Sequence, residues 1–249
     1  MNYSWRLAGR SGQLTIDNRR LVLGNQQYAM TSKQTGSGQR QTAAGNHPES
    51  RKRQAGTVSV AIFASGAGTN AQKIIGYFKN HPIINITLIV CNKPGAGVLR
   101  IAAQEHIPTL LLDKGKFSAG NGYLPELQEK GIDFIVLAGF LWKLPPVLVH
   151  AYPGRIINIH PALLPAYGGA GKYGRHVHEA VIAAKDKESG ISIHYVDELY
   201  DHGHIIIQVR CPVGPEETSD SLALKIHALE HEYYPRIIEK VIIELQNRR

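Results

Sequence analysis

Two polar side chains, Asn158 and His160, end an apolar run just before a loop bracketed by Pro161 and Pro165. They alternate with Ile157 and with the isoleucine between them, so a β-strand would place both on one face. A histidine can act as general acid or base, and an asparagine amide can donate to a developing oxyanion. The pattern favours a catalytic pair, and a hydrogen-bonded structural histidine is the alternative.

A carboxylate follows in the segment DELYDHGHIII, where Asp201 occupies the turn before another strand. From that turn Asp201 can reach back toward the same edge of a sheet. A carboxylate beside His160 would raise the pKa of its imidazole and favour the imidazolium. The alternative is an aspartate that only forms the turn.

The segment SGAGTN contains Gly68, Thr69 and Asn70, and it lies between a predicted strand and a predicted helix. Small residues let backbone N–H groups approach an anion, and the helix dipole favours negative charge there. The segment lacks both the Lys-Ser/Thr of a P-loop and the G-x-G-x-x-G spacing of a dinucleotide fold. A phosphate site and a plain tight turn both remain open on this pattern alone.

The segment HALEH, from His227 to His231, matches one zinc-protease signature, H-x-x-E-H. On a helix both histidines share a face, so a metal site is geometrically allowed. Only 18 residues follow His231, which leaves little room for a third ligand and its supporting residues. We therefore predict no metal.

Strand and helix signals alternate from Thr57 onward, which predicts an α/β fold with a doubly wound, mostly parallel sheet. Two late strands are separated by only six residues, too few for a crossover, so they predict an antiparallel extension. A long C-terminal helix should begin near Ser219, bury Leu222, Ile226, Leu229 and Tyr233, and kink or break at Pro235. The predicted strands are 57–65, 84–92, 108–112, 133–140, 155–160, 190–197 and 204–213.

Composition indicates a globular intracellular protein. The chain has 249 residues, of which 43% are hydrophobic. It has neither an apolar run of membrane-spanning length nor the apolar core of a secretory signal. Its two cysteines, Cys91 and Cys211, lie in apolar runs and are expected to be buried, reduced thiols. We therefore expect the cytoplasm, without a membrane partner.

The charge is concentrated at the N-terminus. Residues 1–56 carry +7, whereas residues 57–249 carry +1. We predict two parts: a basic, largely disordered extension over 1–56 and a catalytic domain over 57–249. Within the extension, residues 31–56 lack any apolar period, and LTIDNRRLVLG could pair as a hairpin around Asp17-Asn18. A transit peptide is the alternative for this segment.

The motifs SGAGTN, VLAGFLWKLP, GRIINIHPALLPAYGG, HVHEAV, GISIHYVDELYDHGHIIIQ and ALEHEYYP occur together in one order. In order and spacing the chain resembles the phosphoribosylglycinamide formyltransferase family over about residues 58–245. The motif N-I-H-P-x-L-L-P with a later D-x-G is shared by the wider group of formyltetrahydrofolate enzymes. The resemblance implies a Rossmann-like fold, formyl transfer in purine biosynthesis, and 10-formyltetrahydrofolate as co-substrate.

The resemblance also implies roles for matching positions. Asn158, His160 and Asp201 match the family's catalytic residues. The positions implied for glycinamide ribonucleotide are Gly68, Thr69 and Asn70 at its phosphate, and Glu230 at its ribose and amine. The positions implied for the folate are Leu141, Trp142, Lys143, Leu144, Asn158, Asp197 and Glu198.

The chain departs from the family pattern in three places. Residues Leu141 to Leu144 read Leu-Trp-Lys-Leu instead of Met-Arg-Ile-Leu, the loop Gly168–Arg175 is longer, and residues 1–56 have no counterpart. The implied partners are small molecules, and the implied assembly is a monomer or weak homodimer.

Three other functions are alternatives to the one that the resemblance implies. A formyltetrahydrofolate hydrolase shares the catalytic residues but carries an N-terminal regulatory domain, and residues 1–56 are too short and too polar for one. Methionyl-tRNA formyltransferase needs a C-terminal RNA-binding domain. A basic-tailed nucleic-acid-binding protein with a vestigial enzyme fold belongs to a different class. The near-neutral body and the intact Asn/His/Asp set argue against nucleic acid as a partner.

Overall fold

The computed structural model describes residues 56–118 and 121–248 in full. Of residues 1–55 it describes the backbone of four strands, 2–7, 10–15, 22–23 and 26–27. The predicted disorder of residues 31–56 falls almost entirely outside the described residues.

Nine strands form one sheet in the order β2-β1-β11-β10-β9-β8-β5-β6-β7, and β3 pairs with β4 separately. Seven of the nine come from the predicted catalytic domain. The strands are β1 (Asn2–Leu7), β2 (Arg10–Thr15), β3 (Val22–Leu23), β4 (Gln26–Gln27), β5 (Val58–Ala64), β6 (Ile84–Cys91), β7 (Thr109–Leu111), β8 (Phe134–Leu137), β9 (Ile156–His160), β10 (Glu188–Tyr195) and β11 (Ile205–Pro212).

Helices cover both faces of this sheet. The sheet separates two apolar clusters, one that includes Val60, Ile62 and the C-terminal helix, the other Ala61, Phe63 and Leu148. Successive residues of β5 thus face opposite clusters, as expected of a parallel strand buried on both sides. The helices are α1 (Thr69–Phe78), α2 (Gly97–Gln104), α3 (Lys114–Ser118), α4 (Leu124–Glu129), α5 (Pro146–Ala151), α6 (Arg175–Ala183) and α7 (Ser219–Asn247).

Strands β5 to β9 pair in parallel, whereas β10 pairs antiparallel with both β9 and β11. The predicted doubly wound, mostly parallel sheet with an antiparallel extension is confirmed. The register between β9 and β10 sets Asn158 opposite His194 and His160 opposite Ser192. Two polar pairs therefore face each other across these strands.

Helix α7 begins with a capping box between Thr218 and Ser221, and the predicted buried stripe is confirmed. Of the predicted kink or break at Pro235, the break is wrong, because the helix continues to Asn247, and the kink stays a prediction. Proline removes one backbone hydrogen bond, but the side chains after it, including Ile238 and Val241, are buried and hold the helix against the sheet. The Tyr234 hydroxyl also lies 2.9 Å from the carbonyl oxygen of Leu137, at the end of β8.

The N-terminal strands do not pair as expected. Strand β2 pairs with β1, and β1 pairs with β11 at the edge of the main sheet. The predicted hairpin around Asp17-Asn18 is therefore wrong, since residues 14–15 pair with residues 2–3 and residues 22–23 pair with 26–27. The domain boundary at residue 56 stays a prediction.

No helix within the described residues combines the length and apolarity needed to cross a membrane.

Candidate active site

A cavity of about 510 Å³ opens at the carboxyl ends of β5, β8 and β9. Ligands of open α/β sheets bind at this edge. Among the residues lining the cavity are eight that the sequence singled out: Gly68, Thr69, Asn70, Leu141, Asn158, His160, Asp201 and Glu230.

His160 ends β9 and is only 3% exposed. Its Nε2 lies 2.8 Å from the carbonyl oxygen of Tyr167. A carbonyl oxygen can only accept, so Nε2 carries a proton. The other ring nitrogen, Nδ1, lies 3.5 Å from Oδ2 of Asp201. When His160 is neutral, its lone pair is therefore on the nitrogen beside Asp201.

Burial lowers the pKa of His160, and it outweighs the carboxylate of Asp201 and the Tyr167 carbonyl, which both raise the pKa. The predicted effect of Asp201, which raises the pKa of His160, is confirmed, but the predicted preference for the imidazolium is wrong because burial has the larger effect. The sequence pattern correctly paired the two residues but did not show how deeply the ring is buried. The neutral ring is the resting state at neutral pH.

Asp201 adopts a left-handed backbone conformation, with φ of 53°. Its Oδ2 accepts a hydrogen bond from the Gly169 N–H at 3.0 Å. Burial raises the pKa of Asp201, but contacts with His194, the charge of His160 and the Gly169 N–H together bring it below its usual value. Asp201 is therefore a carboxylate at neutral pH.

Asn158 belongs to a network that includes a residue which the sequence analysis missed, His194. The Nδ1 of His194 donates to the carbonyl oxygen of Tyr195 at 2.8 Å, so the Nε2 of the neutral ring accepts. The amide of Asn158 donates to this Nε2 at 3.1 Å and approaches Oδ1 of Asp201 at 3.4 Å. The shorter bond fixes the orientation of the Asn158 carboxamide.

A sequence signal for His194 does exist. Ser192 and His194 alternate with isoleucines on β10 as Asn158 and His160 do on β9. Only the antiparallel register turns that second alternation into contact with the first.

The loop after His160 is held by a buried polar cluster centred on Ser192. The Ser192 hydroxyl donates to the carbonyl oxygen of Ala162 at 2.7 Å and accepts from the Leu164 N–H at 2.9 Å. The amide of Gln208 donates to the Leu164 carbonyl oxygen at 2.8 Å. Because buried polar groups with satisfied partners are rigid, this cluster fixes the loop that begins at His160.

The glycine-rich turn leads directly into α1. Gly68 precedes the helix with φ of 82°, in the left-handed region that favours glycine. A Cβ at this position would lie 2.8 Å from the Cα of Val98, so the turn also packs closely on α2. The first N–H groups of a helix lack intrahelical partners, and the helix dipole adds positive potential. This end of the cavity therefore favours an anion.

Glu230 of α7 is 5% exposed, and its Oε2 accepts from the Asn70 amide at 2.9 Å. Burial raises the pKa of Glu230 to about 7. A group that desolvation leaves poised near neutrality is typical of a ligand site. A ligand that supplies a positive charge or donors to Glu230 would favour its carboxylate form.

Two further histidines lie against the cavity. His178 of α6 is 2% exposed, and burial lowers its pKa to about 4, so it is neutral at pH 7. His227 also lines the cavity, and its ring stacks on that of His231 at a centroid distance of 6.2 Å. The described residues hold no group of three or more side chains arranged to bind a metal ion.

Of the segment predicted to hold the folate, only Leu141 lines the cavity directly. Its backbone N–H donates to the Ser65 hydroxyl at 2.9 Å. Trp142 packs against Phe117 and Phe140, and Leu144 is buried in the same layer. Lys143 is exposed. The contacts predicted between this segment and the folate stay predictions.

The other predicted folate positions, Asp197 and Glu198, lie outside the residues that line the cavity. Asp197 accepts from the Leu199 N–H at 2.8 Å and pairs with His202. Glu198 pairs with His150 on α5. Asp197 thus stabilises the turn that carries Asp201, and direct folate contacts at both positions stay predictions.

A family profile described as formyl transferase matches residues 58–238. The chain belongs to the formyl transferase family. Within this family, phosphoribosylglycinamide formyltransferase of Bacillus subtilis is 36% identical over 76% of this chain and 96% of its own length. The resemblance to the phosphoribosylglycinamide formyltransferases is thereby confirmed.

Two other similar proteins are also phosphoribosylglycinamide formyltransferases. The chloroplastic phosphoribosylglycinamide formyltransferase of Arabidopsis thaliana is 38% identical over 74% of this chain, and this chain spans 65% of that protein. The crystal structure of phosphoribosylglycinamide formyltransferase from Bacillus halodurans superposes with a TM-score of 0.67 at 42% identity. That superposition covers 74% of this chain and 95% of the other. The three relatives named here thus each match about three quarters of this chain.

Proposed function

We propose that this protein transfers the formyl group of 10-formyltetrahydrofolate to the amine of glycinamide ribonucleotide. The observation that carries the proposal is the meeting of three features in one cavity. These are the Asn158, His160 and Asp201 set, the turn before α1, and the buried carboxyl of Glu230. Together they offer an acyl-transfer centre, an anion site and a group suited to an amine or hydroxyls.

The phosphate of the nucleotide would occupy the N-terminus of α1. Gly68, Thr69 and Asn70 provide backbone donors there. Asn70 uses its amide to bind Glu230, so the phosphate end and the amine end of the substrate site are directly linked. This link supports one extended ligand over two separate ones.

Glu230 would bind the ribose and the amine. In its ionised form it accepts hydrogen bonds from hydroxyls and favours a nearby ammonium. Its pKa near 7 lets it ionise when the substrate supplies those partners. The same residue explains the H-x-x-E-H pattern of α7 without zinc.

The reaction begins when the substrate amine attacks the formyl carbon and forms a tetrahedral intermediate. Asn158 has one amide proton committed to His194 and a second in the longer, 3.4 Å contact with Asp201. That second proton would turn to the developing oxyanion. Such a donor contributes on the order of 3 kcal/mol to transition-state stabilisation.

His160 would carry the proton. Its Nε2–H is fixed on the Tyr167 carbonyl, so Nδ1 accepts the proton lost by the attacking amine. Asp201, 3.5 Å away, stabilises the imidazolium that results. The C–N bond to the folate then breaks, and the proton passes from His160 to the departing folate nitrogen. These steps use only side chains and the two substrates.

The folate would lie along the segment from Leu141 to Leu144 and the turn that precedes Asp201. The support is placement, because Leu141 and Asn158 line the same cavity. Holding both substrates in line would supply much of the remaining acceleration. We infer the cytoplasm as the compartment, since both described cysteines are buried free thiols.

One assay separates this function from hydrolysis of the folate. Tetrahydrofolate release would be followed with glycinamide ribonucleotide present and then absent, with mass spectrometry of the formylated nucleotide. We expect release only when the nucleotide is present. Equal release in its absence would identify a hydrolase, and no release in either arm would contradict both functions.

The phosphate site is tested by Gly68→Val. The branched side chain would clash with Val98 and could not adopt φ of 82° without strain, so the backbone donors would shift. We expect the KM for glycinamide ribonucleotide to rise about tenfold or more, equivalent to at least about 1.4 kcal/mol of binding. The KM for the folate should barely change.

Gly76→Val is the matched control, because Gly76 lies on the same helix with open space around it. It should leave both Michaelis constants unchanged. If Gly68→Val weakened both substrates equally while the protein stayed folded, the turn would not be a dedicated phosphate site.

A further inference from the structure

One short loop holds both members of the His160–Asp201 pair through its backbone. The Tyr167 carbonyl oxygen accepts from Nε2 of His160 at 2.8 Å, and the Gly169 N–H donates to Oδ2 of Asp201 at 3.0 Å. Only Gly168 separates the two contacts. The geometry of residues 167–169 therefore sets the geometry of the pair.

The sequence of residues 167–169 does not by itself favour the conformation that these residues adopt. Tyr167 has φ of 57°, in the left-handed region where a bulky side chain is rare and strained. Gly169 and Gly171 follow with φ of 103° and 81°, and glycines impose little conformational preference. A contact from outside the loop is needed to hold Tyr167 in place.

Asp186 provides that contact. The Tyr167 hydroxyl donates to Oδ2 of Asp186 at 2.6 Å. This hydrogen bond raises the pKa of Tyr167 to about 12, so the hydroxyl stays protonated and remains a donor at neutral pH. The Asp186 N–H donates to the Val181 carbonyl oxygen at 3.3 Å after Lys185, which adopts φ of 55°. Asp186 is thus fixed by the end of α6.

Packing holds the tyrosine on one side only. The ring of Tyr167 packs against the apolar cluster that contains Val60 and Ile62. It also borders a second cavity, of about 310 Å³, which it shares with Ala166, Val181 and Asp186. A ring freed from Asp186 has space to move into on that side, so the hydrogen bond supplies the restraint that packing lacks there.

We propose that Asp186 is a positioning residue for formyl transfer, which through the Tyr167 hydroxyl holds the backbone of residues 167–169 against His160 and Asp201. The inference rests on the proposed function of this site. Asp186 lines the second cavity and not the substrate cavity, so it would act through Tyr167 and touch neither substrate.

The test compares Tyr167→Phe, Asp186→Ala and the double variant. Each single variant should lower kcat by on the order of tenfold, because small displacements of catalytic groups are costly, and should leave both Michaelis constants within about twofold. The double variant should lose no more than either single one, since both remove the same bond. Asp186→Asn keeps an acceptor and should recover most of the activity.

Tyr77→Phe is the matched control. Tyr77 of α1 also donates its hydroxyl to a surface carboxylate, that of Glu239 at 2.5 Å, but it does not line the substrate cavity. It should keep wild-type kcat. If its kcat fell as far as that of Tyr167→Phe, the loss of any tyrosine–carboxylate hydrogen bond at the surface would be enough to lower kcat. The proposal would then be overturned.

A readout independent of turnover is the NMR signal of the His160 Nε2 proton in the full chain labelled with ¹⁵N-histidine. It should weaken or shift in Tyr167→Phe and in Asp186→Ala, and remain in Asp186→Asn and Tyr77→Phe. The proposal would be overturned if the Nε2 proton signal or kcat were unchanged in Tyr167→Phe. It would also be overturned if the two single losses of kcat multiplied in the double variant. Absence of formyl transfer by the wild-type protein would instead refute the proposed function. The NMR comparison would still test whether the hydrogen bond between Tyr167 and Asp186 positions His160.

Discussion

Replacing His160 with alanine should lower kcat by about 10²–10⁴-fold, the usual contribution of a positioned acid–base group. The variant loses the nitrogen that would take the proton from the attacking amine, while the folate surface near Leu141 is untouched. The KM for the folate should therefore stay close to that of the wild type. Steady-state kinetics of tetrahydrofolate release, at saturating concentrations of both substrates, would measure the effect.

Alanine at this position also leaves the Tyr167 carbonyl without its donor. His160→Gln separates the two effects, because a glutamine amide can donate to that carbonyl but cannot carry the proton. It should be as inactive as His160→Ala while its thermal stability stays nearer to the wild type. His176→Ala removes an exposed histidine from α6 and should be fully active. Near-wild-type turnover in His160→Gln would remove His160 from the proton path.

The fold followed from local sequence patterns because the central parallel strands are buried on both sides and read as continuous apolar runs. β8, with all four residues buried, is the clearest case. The local pattern allowed a break at Pro235 that does not occur, because packing outweighs local preference there. The apolar side chains beyond the proline, such as Ile238, are buried against the sheet, and the helix continues.

The candidate site was only partly predictable for a similar reason. Alternation on β9 brought Asn158 and His160 to one face, and this could be seen in the sequence. The contact of Asn158 with His194 depends on the register of β10, which joins residues 36 apart. The direction of the His160 pKa depends on burial, which no local pattern records. The role proposed for Tyr167 depends on a loop conformation that its glycines do not specify.

Asp201→Asn should lower kcat by about 10²–10⁴-fold, since it removes the charge that stabilises the imidazolium formed during proton transfer. Asparagine is nearly isosteric and tolerates the left-handed φ of 53° at this position. Its side-chain oxygen can still accept from Gly169. The loss should therefore reflect charge more than structure, and melting temperatures measured at neutral pH should differ little.

The pH dependence gives a second measure of the same substitution. His160 is proposed to act as a neutral base, so wild-type kcat should fall as the pH drops through its lowered pKa. We choose kcat at saturating substrates, because kcat/KM would also report the ionisation of free Glu230, whose pKa is about 7. Asp201 raises the pKa of His160, against the larger effect of burial. Removing that charge should lower the His160 pKa further, so the acidic limb of kcat should move to lower pH while the plateau falls.

The lowered pKa of His160 has a consequence for stability as well. Between the ordinary histidine pKa of about 6.5 and the lower folded value, the unfolded chain binds the proton first. This contribution to stability is thus complete above the unfolded pKa and is lost as the pH falls toward the folded one. In Asp201→Asn the loss should continue to lower pH, because the folded His160 pKa is lower still.

NMR titration of the His160 ring in both proteins would decide the role of Asp201. The expected result is a lower pKa in Asp201→Asn together with the loss of turnover. Asp220→Asn is the control, because it removes an exposed carboxylate at the start of α7 and should change neither quantity. Equal His160 pKa values in Asp201→Asn and the wild type would show that the 3.5 Å contact has no electrostatic effect on the ring. The activity lost on substitution would then have to arise from the turn that Asp201 forms with Gly169, and the proposed stabilisation of the imidazolium would be wrong.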